Sequence, residues 1–144
     1  MDFVRHVNGY LIDTSVFIAV ERGQDLTSRP EGVARISVAT LTELHIGLLR
    51  ANDPRVREVR NATIDEAGRF LALPYDERVA RQLAHLLFAA HRQQRRAATP
   101  DAIIAATALV HDLAVWTLDA DFERLAHVAP ELRVIRADTG ASPP

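Results

Sequence analysis

The chain has 144 residues, 48% hydrophobic and 25% charged, which fits one ordinary globular domain with enough apolar surface for a core. It contains no Cys, excluding disulfides, thiolate metal ligands and a Cys nucleophile, and its 17 basic residues are all Arg, excluding Schiff-base chemistry and a P-loop lysine. Against 19 acids the net charge is −2, so the chain lacks the basic surplus of a dedicated nucleic-acid binder and any such contact must rest on local Arg clusters.

From Met1 to Asn8 polar and apolar residues alternate without a secretory h-region. The longest uncharged helical run, Ala102 to Val110, is far below the roughly 20 residues of a membrane span. A soluble, cytoplasmic protein is the expectation. Tyr10-Leu11-Ile12 reads as a buried strand that runs into Asp13, Thr14 and Ser15, and a helix follows from about Thr14 to Arg22, closed by Gly23. A loop punctuated by Ser28, Pro30 and Gly32 leads to a second strand, Val33 to Val38. Thr40-Leu41-Thr42-Glu43 opens the next helix, with Leu44, Leu48 and Leu49 inward as far as Arg50, and Asn52-Asp53-Pro54 breaks it.

Arg55 to about Glu66 is an Arg-rich helix with a thin apolar stripe of Val56, Val59 and Ala62 or Thr63. Phe70 to Leu73 is a short strand stopped by Pro74. Asp76 then caps a helix whose Val79, Leu83, Leu86, Leu87 and Ala90 follow a strong helical period. A basic connection with Arg95 and Arg96 leads to Thr99-Pro100-Asp101, read as cap, first helical position and first-turn acid. The helix to Asp112 is almost uncharged and must be buried nearly all round. Leu113 to Leu118 is a fourth strand, Asp119 to about Ala126 turns into a short helix, and Leu132 to Ile135 is a last strand. The order β-α-β-α-α-β-α-α-β-α-β argues for an α/β sandwich with a parallel sheet. Asp138 to Pro144 is expected to be a disordered tail.

Four acids, Asp13, Glu43, Asp101 and Asp119, flank strands near helix starts. Each alone has a structural explanation: Thr40-x-x-Glu43 matches a capping box, and Asp101 and Asp121 sit in first turns that favour anions. Jointly they point elsewhere, because strand-to-helix connections of a right-handed parallel sheet share one edge. Two unit charges at 4 Å repel by about 4 kcal/mol at an effective dielectric near 20, so such a cluster calls for a cation or a shared proton. All-oxygen donors suit Mg²⁺ or Mn²⁺. His45, His85, His91, His111 and His127 form no zinc-type pair and read as surface or packing. Ser15 has no His base in sequence reach, and its hydroxyl suits a supporting hydrogen bond better than nucleophilic attack.

Ile12-Asp13-Thr14-Ser15, Thr42-Glu43-Leu44, Pro100-Asp101-Ala102 and Thr117-Leu118-Asp119-Ala120-Asp121-Phe122, in that order, resemble the PIN domain and most closely its VapC-type bacterial toxins. The resemblance spans Gly9 to about Arg136. It implies a three-layer α/β/α sandwich over residues 1–137 and endoribonuclease activity dependent on Mg²⁺ or Mn²⁺, with RNA cleaved by metal-activated water. It further implies Asp13 and Asp101 as chief metal ligands, Glu43 as second acid and Asp119 as fourth. Asp121 is an alternative fourth acid, and Ser15 and Thr117 hold supporting positions. By the same resemblance the chain forms a homodimer held inactive by a VapB-type antitoxin. Arg95 and Arg96 are candidates to hold RNA phosphates, as are Arg50, Arg55 and Arg57, the alternative being a solvated surface. Two rival readings stay open: a haloacid-dehalogenase-like phosphatase, which needs a second acid where Ser15 stands, and a non-catalytic binding module whose acids merely cap helices.

Overall fold

A computed structural model of the chain describes residues 8–26 and 28–140. Five strands form one parallel sheet: β1 (Gly9–Ile12), β2 (Val33–Ser37), β3 (Ala72–Leu73), β4 (Ala114–Thr117) and β5 (Val134–Arg136), in the order β3-β2-β1-β4-β5. The helices are α1 (Thr14–Glu21), α2 (Val38–Arg50), α3 (Pro54–Ala67), α4 (Glu77–Arg92), α5 (Thr99–His111) and α6 (Asp121–Val128). The chain winds outward from β1 to β3, then returns to the other side of β1 for β4 and β5. The crevice at the C-terminal ends of β1 and β4 is therefore a topological switch point, where open α/β sheets bind ligands.

Both faces of the sheet are covered, which is why β1 and β4 read as unbroken apolar runs. Successive side chains point to opposite faces. Leu11 and Val115 join the core built with α4, α5 and α6, whereas Tyr10, Ile12, Ala114 and Trp116 join Val16, Phe17, Leu44 and Ala67 on the other side. Tyr10 and Trp116 meet edge to face, with centroids 5.7 Å apart. Gly9 opens β1 at φ +139°, and a Cβ there would collide with the Val33 backbone, so the first β1-β2 contact admits only glycine. In α5, Ala102 and the run from Ile104 to Ala108 are buried, as its lack of charge requires.

The order of elements matches the one read from the sequence, but several local assignments change. Ser37 caps α2, its Oγ accepting from the Ala39 amide at 3.1 Å, so the helix starts before Thr40 and the Thr40-Glu43 capping box does not form. Thr40 is instead fully buried, 3.1 Å from the Thr14 hydroxyl. Ala98, without a side-chain cap bond, precedes α5, which moves Thr99 inside the helix. Leu49, at 75% exposed, and Leu87, at 37%, fall outside the buried core among the described residues. In α3 the buried residue is Ala67, while Val56 and Val59 are exposed. Of the expected tail, residues 141–144 lie outside the described ones, and residues 138–140 form no regular element.

Candidate active site

Asp13 is the first residue beyond β1, its amide still donating to the Trp116 carbonyl at 3.0 Å, so its backbone is fixed by the sheet. Its side chain is only 3% exposed and also caps α1 by accepting from the Ser15 amide. One carboxylate oxygen, Oδ2, receives the Ser15 hydroxyl at 2.6 Å and the Thr117 hydroxyl at 2.8 Å. Ser15 Oγ in turn accepts from the Leu118 amide at 3.0 Å, and Thr117 Oγ1 from the Asp119 amide at 2.8 Å. Two hydroxyls thus tie the exit of β4 to the exit of β1 and set where Asp119 emerges.

Glu43 lies on α2, where Thr14 Oγ1 donates to its Oε1 at 2.8 Å. Asp101 stands in the first turn of α5, and Asp119 precedes α6, with its Oδ1 accepting from the Asp121 amide at 2.9 Å. Carboxylate oxygens of Asp101, Asp119 and Asp121 lie within 4.8 Å of one another, an all-oxygen set of the kind a hard divalent ion takes. Asp13 falls outside that closest trio but is coupled to it electrostatically.

Burial and crowding leave their mark on proton affinity. Burial pushes the Asp13 carboxyl up against the opposing hydrogen bonds from Ser15 and Thr117. Burial likewise raises Glu43, the Thr14 hydrogen bond opposes it, and the charges of Asp13 and Asp119 add to the rise. Asp101 is pushed up to about 7, first by burial and then by Asp13, Asp119, Glu43 and Asp121. Acids from four separate stretches of chain therefore sense one another at one edge, an arrangement that isolated helix caps would not produce.

Arg95 and Arg96 follow α4 directly. There Gln94, at φ 54°, donates to the His91 carbonyl and Arg95 to the Ala90 carbonyl, the paired bonds of a Schellman motif that fixes the chain's exit. Both arginines line a cleft of about 250 Å³ together with Asp101, Asp121 and Arg124. Arg124 did not stand out in the sequence; its spacing of three from Asp121 on a helix was the available signal. Thr14 was also missed as a ligand of Glu43, since only the fold brings positions 14 and 43 together. Arg57 does not line that cleft and donates to the Ala51 carbonyl at 3.1 Å. No helix among the described residues is long and apolar enough to cross a membrane.

The PIN domain family model matches residues 10–128. Ribonuclease VapC5 of Mycobacterium tuberculosis is 38% identical over 128 residues, covering 88% of this chain and 93% of the relative. Ribonuclease VapC4 of the same organism is 36% identical over 131 residues, covering 90% and 98%. The crystal structure of VapBC-5, a toxin-antitoxin system of Mycobacterium tuberculosis, matches with a TM-score of 0.78 at 34% identity over 90% of this chain and 98% of that one. The match spans the exits of β1 and β4 and the helices α2, α5 and α6 that carry the acid cluster, and the chain belongs to the PIN-domain family, in its VapC branch.

Proposed function

We propose that this chain is an endoribonuclease and the toxin of a toxin-antitoxin pair, using a divalent metal ion, Mg²⁺ or Mn²⁺, at the edge of β1 and β4. The observation that carries this reading is the convergence of Asp13, Glu43, Asp101 and Asp119 at the switch point, with Asp101 raised to about 7 by burial and its acidic neighbours. The donor set fits such an ion: carboxylate oxygens alone, uncompensated at Asp101 and Asp119 by any cationic side chain among the described residues. Asp13, Asp101 and Asp119 would hold it. When bound, a divalent ion supplies a Lewis acid that lowers the pKa of water and offsets phosphate charge.

The protein's own groups do the rest. Ser15 and Thr117 keep the Asp13 carboxylate oriented, so it need not reorganise when substrate arrives. Glu43, steadied by Thr14 and raised in proton affinity, takes the proton of the attacking water. Arg95 and Arg96 hold the RNA backbone.

The rival readings lose ground on the same geometry. A phosphatase with its nucleophile at Asp13 would need a second acid two residues on; Ser15 stands there and donates into Asp13. A purely structural set of caps does not account for Glu43, since Ser37 caps α2. For the partner, the VapBC-5 system supports a VapB-type antitoxin. An apolar cleft of about 580 Å³ between α1 and α3, with Val16, Phe17, Val20 and Val59 in its walls, would accept an apolar segment of such a partner. A homodimer is part of the same proposal.

Purified protein should cleave a structured RNA in Mn²⁺ and fail to do so in EDTA or as Asp13→Asn. Hydrolysis of a small phosphomonoester without RNA cleavage would replace this reading with a phosphatase, and neither activity would leave a binding module.

A further inference from the structure

Asp121 belongs to the closest trio of carboxylates, yet it differs from the other two. Arg124 Nη1 donates to Asp121 Oδ1 at 2.8 Å, one helical turn along α6. Among the described residues, Asp101 and Asp119 have no such cationic partner, so Asp121 alone of the trio is paired with a cation. An arginine carries five N–H donors in a fixed planar fork, and here one is spent on Asp121. The remaining donors stand at the cleft that Arg95, Arg96 and Asp101 also line. Three arginines thus line one concavity that Asp101 and Asp121 share, on a chain whose net charge is −2.

We propose that Arg124 binds an RNA phosphate next to the scissile one, and that Asp121 is a positioning residue acting through Arg124 rather than a metal ligand. This rests on the endoribonuclease reading above. Asp121 holds the guanidinium at the cleft, and Arg95 and Arg96, set by the Schellman exit of α4, add charge to the same cleft. The adjacent phosphate then docks on the fork of Arg124 in the bidentate manner that guanidinium and phosphate favour. The fourth metal-site acid is on this view Asp119, whose position the Thr117 hydroxyl fixes.

The test is steady-state RNA cleavage by the full chain, titrated with Mn²⁺ and with RNA, for wild type, Asp119→Asn, Asp121→Asn, Arg124→Gln, Arg124→Lys and the Asp121→Asn/Arg124→Gln double variant. Thermal melts check that each variant is folded. Arg124→Gln and Asp121→Asn should each raise KM about tenfold while kcat changes little, which marks lost substrate binding. The double variant should be no worse than Arg124→Gln alone, as for two residues acting as one unit. Arg124→Lys should recover part of the loss. The Mn²⁺ concentration for half activity should shift in Asp119→Asn and stay put in Asp121→Asn. RNA affinity measured in Ca²⁺ should lose about 0.7 from its log-log salt slope in Arg124→Gln, the amount for one phosphate contact on a single strand.

An Mn²⁺ shift in Asp121→Asn comparable to that of Asp119→Asn overturns the proposal, as do additive losses in the double variant or an unchanged KM in Arg124→Gln. Wild-type protein that cuts no RNA removes the endoribonuclease reading itself, and this proposal with it. Cleavage by wild type together with an indifferent Arg124→Gln removes this proposal alone.

Discussion

Thr14 and Glu43 meet across the sheet edge, the threonine hydroxyl donating to the Glu43 carboxylate at 2.8 Å. The contact joins the first turn of α1 to α2 and takes over the role a capping box would have given Glu43. Glu43→Gln keeps an oxygen that can accept the Thr14 proton, so stability should change by no more than about 1 kcal/mol, the net worth of one hydrogen bond. The charge and the proton-accepting capacity are lost. RNA cleavage should fall about 10²-fold or more, on the order expected for losing a general base. A denaturant melt and a cleavage assay on the same preparation decide it: near-wild-type cleavage would take Glu43 out of the site.

Asp13→Asn is predicted to separate metal binding from folding. The Ser15 and Thr117 hydroxyls both donate to Oδ2, and an amide oxygen can accept them equally, so the substitution preserves the knot between β1 and β4. It removes a buried charge from an acidic cluster. In EDTA the variant should melt at or above wild type. With Mn²⁺ at about 100 times its Kd, wild type should gain about 2.7 kcal/mol, and the variant much less. A wild-type melting curve indifferent to Mn²⁺ would count against the metal site.

The sequence carried the order of elements because each signal for them is local: apolar runs flanked by Gly, Pro and capping residues, and the period of Val79, Leu83, Leu86 and Ala90 on α4. It carried the acids because every strand-to-helix turn of a parallel sheet opens on one edge. What stayed hidden depends on contacts between distant stretches. Ser37 and Thr40 are both good N-caps by residue type, and only the approach of Thr14 withdraws Thr40 into the interior. Leu49 and Leu87 obey the helical period yet are exposed among the described residues, since periodicity defines an apolar stripe without saying how wide a strip is covered. The pairing of Asp121 with Arg124, which sets it apart from Asp119, was hidden for the same reason.

Arg57 and Arg60 of α3 reach back to the end of α2. Arg57 donates to the Ala51 carbonyl at 3.1 Å and Arg60 to the Gly47 carbonyl, satisfying acceptors that a helix terminus leaves unpaired. Positive charge there also complements the helix dipole. Arg57→Ala should therefore lower stability by about 1 kcal/mol, as for one hydrogen bond, and leave RNA cleavage unchanged. Weaker RNA binding at intact stability would return Arg57 to the list of phosphate contacts.

The last prediction concerns pH. Asp101 has its carboxyl pushed up to about 7 from an ordinary 3.8, and Asp13 and Glu43 are raised in the same direction. A carboxyl with a higher pKa in the folded state binds its proton more tightly there than in the unfolded chain. Its contribution to stability is therefore complete below about pH 4 and is lost as pH rises through about 7. In EDTA the melting temperature should accordingly fall across that window, and Asp101→Asn should flatten the fall, having no proton to lose. A divalent ion competes for the same oxygens, so below about pH 7 the apparent Mn²⁺ affinity should drop by about tenfold per pH unit, one proton being displaced per ion. The stabilisation by Mn²⁺ should then be large at about pH 8 and small at about pH 5.5, opposite in trend to the metal-free protein. Melts across this range with EDTA and with Mn²⁺ measure both slopes on one sample. A metal-free stability that climbs from pH 4 to 7, or an Asp101→Asn variant with the wild-type slope, would show that Asp101 is ionised throughout and that the acids do not crowd one another as the geometry implies.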